Sequence, residues 1–149
     1  MTTIAAAQPA DLDALAILFD AYRQFYGQPS DVAAARDWLR SRLRFGESKV
    51  LVARRGGDMV GFAQLYPSFS SVRMARTWIL NDLFVLPATR RQGVARALLD
   101  AAAGLARADG AAAISLETTR GNAAARAAYR ASGWCEDDTQ WYSLQLQQG

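Results

Sequence analysis

The sequence predicts a mixed α/β fold in one domain over residues 1–149: a mixed sheet of six to seven strands flanked by about four helices. Three observations carry that expectation. Two branched, apolar runs are joined by Arg54-Arg55-Gly56-Gly57-Asp58, a glycine-rich turn suited to an antiparallel hairpin. Beyond residue 86, strand-like runs alternate with helical patterns, which puts parallel strands under helices. A chain of 149 residues, 51% of them hydrophobic, is long and apolar enough to bury one proper core.

Taken in order, residues 2–7 form a short candidate strand. Pro9, Ala10 and Asp11 supply a turn and a cap, after which Leu12, Leu15, Ala16, Phe19 and Tyr22 recur at helical spacing. That helix stops near Phe25, Tyr26 and Gly27. Ser30 and Asp31 cap a second helix whose inward face is Val32, Ala35, Leu39 and Leu43, closed by Gly46. Residues 50–53 and 59–66 are the hairpin strands. Pro67-Ser68-Phe69-Ser70-Ser71 reads as a small polar loop, and residues 73–86 as a long strand.

The chain is organised around residues 79–99. Pro87 ends the apolar strand, because proline has no N–H for a ladder. A basic turn, Arg90-Arg91-Gln92-Gly93-Val94-Ala95, then opens an amphipathic helix with Val94, Leu98, Ala101 and Leu105 on one face. First-turn N–H groups lack intrahelical partners and the helix dipole favours an anion there. Gly93 and Ala95 keep bulky side chains away from that backbone. The stretch reads as a polyphosphate cradle, or equally as a plain strand-to-helix crossover with solvated arginines. It has neither the P-loop nor the dinucleotide glycine pattern. Asp109-Gly110 ends the helix, residues 112–116 read as a buried parallel strand, and Asn122 opens a last helix running to about Ala131. Residues 134–136 and 140–146 read as a terminal pair of strands.

Composition excludes several chemistries. There is no histidine and one cysteine, Cys135. An internal disulfide is impossible, a zinc site is not expected, and Ser-His-Asp or Cys-His catalysis is ruled out. No metal is expected. Lys49 is the one lysine, so arginine carries the positive charge, and a net charge of +3 suits a small anionic ligand rather than nucleic acid. No run has the roughly 20 apolar residues of a membrane span, and no secretory leader is evident. A cytoplasmic location without membrane or nucleic-acid partners is the expectation.

Arg90-x-x-Gly93-x-Ala95 resembles the Q/R-x-x-G-x-G/A signature of the GCN5-related N-acetyltransferases (GNAT). About thirty residues on, Asn122 and Tyr129 in N-x6-Y spacing, followed by Gly133-Trp134, resemble that family's second motif. Without the resemblance, Asn122 is a helix cap and Tyr129 a packing aromatic. With it, the fold implied is GNAT-like with a splayed central parallel strand pair, and the cosubstrate is acetyl-coenzyme A. Arg90, Arg91, Gln92, Gly93, Val94 and Ala95 would hold the pyrophosphate. Leu83, Phe84 and Val85, freed by a bulge, would bond the pantetheine amides, with Asn122 assisting. Tyr129 would protonate the leaving thiolate.

The implied reaction is direct acetyl transfer to a primary amine, either of a small diamine- or polyamine-like molecule or of an exposed lysine. The base stays open. Polyamine-acetylating relatives carry glutamate next to aspartate where this chain has Asn81-Asp82, and asparagine cannot act as a base. Strand alternation turns Asp82 to the other face unless a bulge redirects it. Glu117 and a water chain are the other candidates. Tyr22, Phe25, Tyr26 and Tyr66, with Asn81, are candidate acceptor-binding residues through cation–π contact, although core packing also explains the aromatics. A homodimer is implied by relatives that pair terminal strands. The competing reading, sustained by Asn81, is a non-catalytic acyl-coenzyme A binding or sensing module.

Overall fold

Five strands follow one another across one sheet in chain order: β1 (Thr2–Ala6), β2 (Lys49–Arg55), β3 (Asp58–Ser70), β4 (Ala75–Val85) and β5 (Ala113–Ser115). The first three pairings are antiparallel and β4–β5 is parallel. The computed structural model describes residues 1–147. The chain divides into two compact units, Met1–Glu117 and a second beginning at Thr118.

In the first unit, α1 (Leu12–Phe25) and α2 (Val32–Arg44) cover one face of the sheet. Leu15, Phe19, Ala35 and Leu39 pack there with Val50, Val52, Phe62 and Phe84. The opposite face takes α3 (Val94–Ala108), which buries Val94, Leu98, Leu99, Ala102 and Ala106. Gly61 lies beneath α3 where a Cβ would stand 2.8 Å from the Phe84 carbonyl oxygen, so the crossing has no room for a side chain. Trp78 Nε1 donates to Asp109 at the end of α3 (2.8 Å), fixing that end to β4.

β4 and β5 pair over Thr77–Ile79 and Ala113–Ser115 alone. Past Ile79, β4 has β3 on one edge and, among the described residues, no strand on the other.

The sequence expectations need four corrections. The stretch from Pro67 to Ser70 is strand, not loop: Pro67 pairs with Trp78 and Phe69 with Arg76. β2 reaches no further than Leu65, so Pro67 occupies an edge stretch where a missing N–H is tolerated. β5 is shorter than expected and is the end strand, with Ala113 and Ser115 exposed rather than buried. Asp11 accepts from Gln8 N–H (2.7 Å) and pairs with Arg54, so its side chain does not cap α1. In the second unit α4 (Ala123–Ala131) is present, but residues 134–136 and 140–146 are not strands; Trp141, Tyr142, Leu144 and Leu146 are exposed and lack the ladder that aromatic alternation needs. The described sheet therefore has five strands rather than six or seven.

Candidate active site

The site in the first unit begins with a break in β4. Gln64 pairs with Asp82 and Leu65 with Leu80, so Asn81 is one residue too many and bulges out of the ladder. Before the bulge Ile79 shares a face with its partner Tyr66; after it, that face passes to Asp82 and Phe84. The bulge thus turns Asp82 under α1 and leaves Asn81 exposed. It sits at Asn81 and not at Leu83, Phe84 and Val85, which keep regular register against Ala63, Phe62 and Gly61.

Asp82 is 5% exposed and accepts three hydrogen bonds. Tyr22 Oη and Asn81 Nδ2 donate to Oδ1 (2.8 and 3.0 Å), and Gln64 Nε2 donates to Oδ2 (2.6 Å). Burial, then the Asp82 charge, pushes the Tyr22 phenol well above its ordinary range, and the same two causes raise Tyr66. Both phenols stay protonated at neutral pH, so Tyr22 acts as a fixed donor to the carboxylate. Tyr22 is held by a ring cluster, edge-on to Phe62 and Phe84 with centroids 5.6 and 5.9 Å away.

Over this group lies a cavity of about 530 Å³ between α1, α2 and the sheet. Tyr22, Tyr66, Asn81 and Asp82, singled out in the sequence, line it together with Arg23 and Trp38. Phe25 and Tyr26 do not: each is more than 60% exposed, at the end of α1. Phe25 instead lies under the Arg90 guanidinium, 5.6 Å from ring centre to Cζ. Glu117 is exposed, two residues beyond β5 and outside the cavity.

Three further residues escaped sequence reasoning. Gln64 is wholly buried and aligns Asp82, while its Oε1 has no partner among the described residues. Only the β3–β4 register reveals it. Arg23 and Trp38 are brought to the cavity by the α1–α2 packing, and no motif marks them.

The basic turn is shaped by backbone strain. Arg91 (φ 64°) and Gly93 (φ 79°) both adopt the left-handed region, which is costly for arginine and easy for glycine. Gly93 is the N-cap of α3 and supplies no capping side chain, so the first-turn N–H groups are left for an external acceptor. A Cβ at Gly93 would meet nothing within 4 Å, so the turn is open there and the positive φ, not crowding, calls for glycine. Arg90 Nε donates to the Val85 carbonyl (3.0 Å), tying the turn to the end of β4, and Arg55 pairs with Gln92. Val94 is buried against the sheet and Ala95 is half-buried.

The second unit carries Asn122 and Tyr129. Asn122 Oδ1 accepts from Ala125 N–H (3.2 Å), which makes it the cap of α4. Tyr129 is half-buried on the last turns of that helix.

Residues 13–134 match the model of the acetyltransferase (GNAT) family. The chain belongs to the GNAT family of acetyltransferases. A Bacillus subtilis (strain 168) relative, the uncharacterised N-acetyltransferase YhfO, is 46% identical over 131 residues, 88% of each chain. A probable acetyltransferase of Haemophilus influenzae is 35% identical over 97 residues, 64% of this chain and 66% of that one. A crystal structure of a probable acetyltransferase superimposes with a TM-score of 0.94 at 39% identity, covering 99% of both chains. The ribosomal-protein-alanine N-acetyltransferase of Brucella melitensis biovar Abortus 2308 gives a TM-score of 0.80 at 23% identity over 98% of this chain and 100% of that one, a likeness of fold. As a GNAT enzyme this protein is an N-acetyltransferase. No helix among its described residues is long and apolar enough to cross a membrane.

Proposed function

We propose that this GNAT protein transfers acetyl from acetyl-coenzyme A to the primary amine of a small molecule, with an exposed lysine as the other form of the same acceptor chemistry. The observation that carries the reading is the uncapped, glycine-started N-terminus of α3 behind a basic turn, in a chain of this family. An anion fits there: the N–H groups of the first turn, with Arg91 and the free ends of Arg90, would hold the pyrophosphate, and the open space at Gly93 admits it. Leu83, Phe84 and Val85, where β4 pairs with β3 alone, are the candidates for the pantetheine amides, and Asn122 is a further one. Acetyl-coenzyme A, when bound, supplies the thioester.

In the balanced reaction the amine gains an N–C bond, the thioester C–S bond breaks, one proton leaves the nitrogen and one reaches sulfur. An alkylammonium, with a reference pKa near about 10.4, must first lose a proton to become a nucleophile. Asp82 takes or orients that proton, with Tyr22 and Gln64 fixing its two oxygens; Glu117 and a water chain are the remaining routes. Tyr129 donates a proton to the leaving sulfur. The resemblance alone points to diamines and lysines as acceptors, and a cytoplasmic enzyme, with a homodimer as its assembly, fits that reading.

Acetyl-coenzyme A should raise the melting temperature, as any ligand of the native state must. Tyr129→Phe should lower turnover by about 10²-fold, as loss of a general acid does, with cosubstrate affinity nearly intact. Unchanged turnover would remove the proton-donor role. A second reading, an acyl-coenzyme A sensing module, is favoured by Asn81 in the place of a carboxylate; binding of acetyl-coenzyme A without thiol release on any amine would select it.

A further inference from the structure

Three charged residues line the cavity beneath α1 and α2, and two of them are already engaged. Asp82 accepts from Tyr22, Asn81 and Gln64 and is nearly sealed from solvent. Asp31 spends its Oδ1 on the Ala34 N–H as the cap of α2 (3.0 Å). Arg23 is different. Among the described residues its side chain makes no hydrogen bond and no ion pair, although it lines the cavity. Its charge helps to hold the Asp20 carboxyl down, but the hydrogen bonds of Asp20 go to Gln24, Ser30 and the Asp31 N–H. Tyr22, Tyr66 and Trp38 give the same cavity aromatic walls.

A half-buried guanidinium whose N–H groups make no hydrogen bond keeps those donors for a carboxylate, which it can bind in a fork. It repels a second ammonium on the same ligand. We propose that the acceptor is an amino acid, a primary amine with a carboxylate on the same molecule: Arg23 takes the carboxylate, the aromatic walls hold the stem, and the amine turns toward Asn81 and Asp82. This rests on the cavity being the acceptor site, and it narrows the acceptor class away from diamines.

The test is calorimetric titration of the full chain with coenzyme A present, using short amino acids together with monoamines and diamines of matched length. The best amino acid should bind about tenfold or more tightly than its matched diamine, as expected for a charge-assisted pair. Arg23→Gln should erase that gap and Arg23→Lys should restore part of it. Diamines binding as tightly as amino acids, no amino acid binding at all, or a gap that survives Arg23→Gln would each overturn the proposal. An amino acid that binds in the expected pattern yet releases no thiol from acetyl-coenzyme A would keep the Arg23 assignment and sink the transfer reading instead.

Discussion

Asp20 shows what a single buried carboxylate does in this protein. It is 3% exposed on α1 and accepts from Asp31 N–H (2.7 Å), Ser30 Oγ (2.7 Å) and Gln24 Nε2 (2.9 Å), tying the start of α2 to α1. The Asp31 N–H, then the Ser30 hydroxyl, hold its carboxyl below the usual 3.8. A folded-state pKa below the unfolded one stabilises the protein above about 3.8, and that stability is lost as pH falls through the lowered value. Asp20→Asn should therefore cost about 1–3 kcal/mol at neutral pH, the cost of a broken charged network. The gap to wild type should close as the solution is acidified below about pH 4. Urea midpoints against pH check this, and a gap that stays constant contradicts it. At this scale the sequence is partly legible. Tyr22 and Asp82 declare themselves by residue type, while Gln64 and Arg23 matter through register and packing, which no single residue type signals.

The decisive element is β4. Its apolar run and its stop at Pro87 are readable, and so is the turn into α3, because proline, glycine and helical periodicity act locally. Sequence reasoning anticipates the bulge as a device but places it too late in the strand, since its position depends on pairing with β3. The terminal strands fail for a related reason: Trp141, Tyr142 and Leu144 have strand propensity, and propensity without a neighbouring strand makes no ladder. Removing Asn81 should test the bulge cleanly. The pairs Gln64–Asp82 and Leu65–Leu80 would then join without an extra residue, so cooperative unfolding should persist with a melting temperature within about 5 °C of wild type. Turnover should fall by about tenfold, because Asp82 Oδ1 loses the Asn81 hydrogen bond that helps to orient it. Thermal unfolding and steady-state rates measure both; unchanged turnover would show that the bulge does no chemical work.

For the molecule as a whole, the family is legible because its two motifs are short, local and set by backbone needs: a positive φ at Gly93 and a cap at Asn122. The acceptor is not, because the cavity proposed for it is assembled from two helices and two strands, α1, α2, β3 and β4, spread along the chain. The proposed chemistry turns on acetyl leaving coenzyme A for an amine. The most direct test tracks free thiol release from acetyl-coenzyme A across amino acids, diamines and lysine peptides, with the acetylated product identified by mass. Thiol release that depends on the amine and matches N-acetyl product one for one is the expected result. Acetyl-coenzyme A that binds yet gives no thiol above its spontaneous hydrolysis with every amine would contradict it.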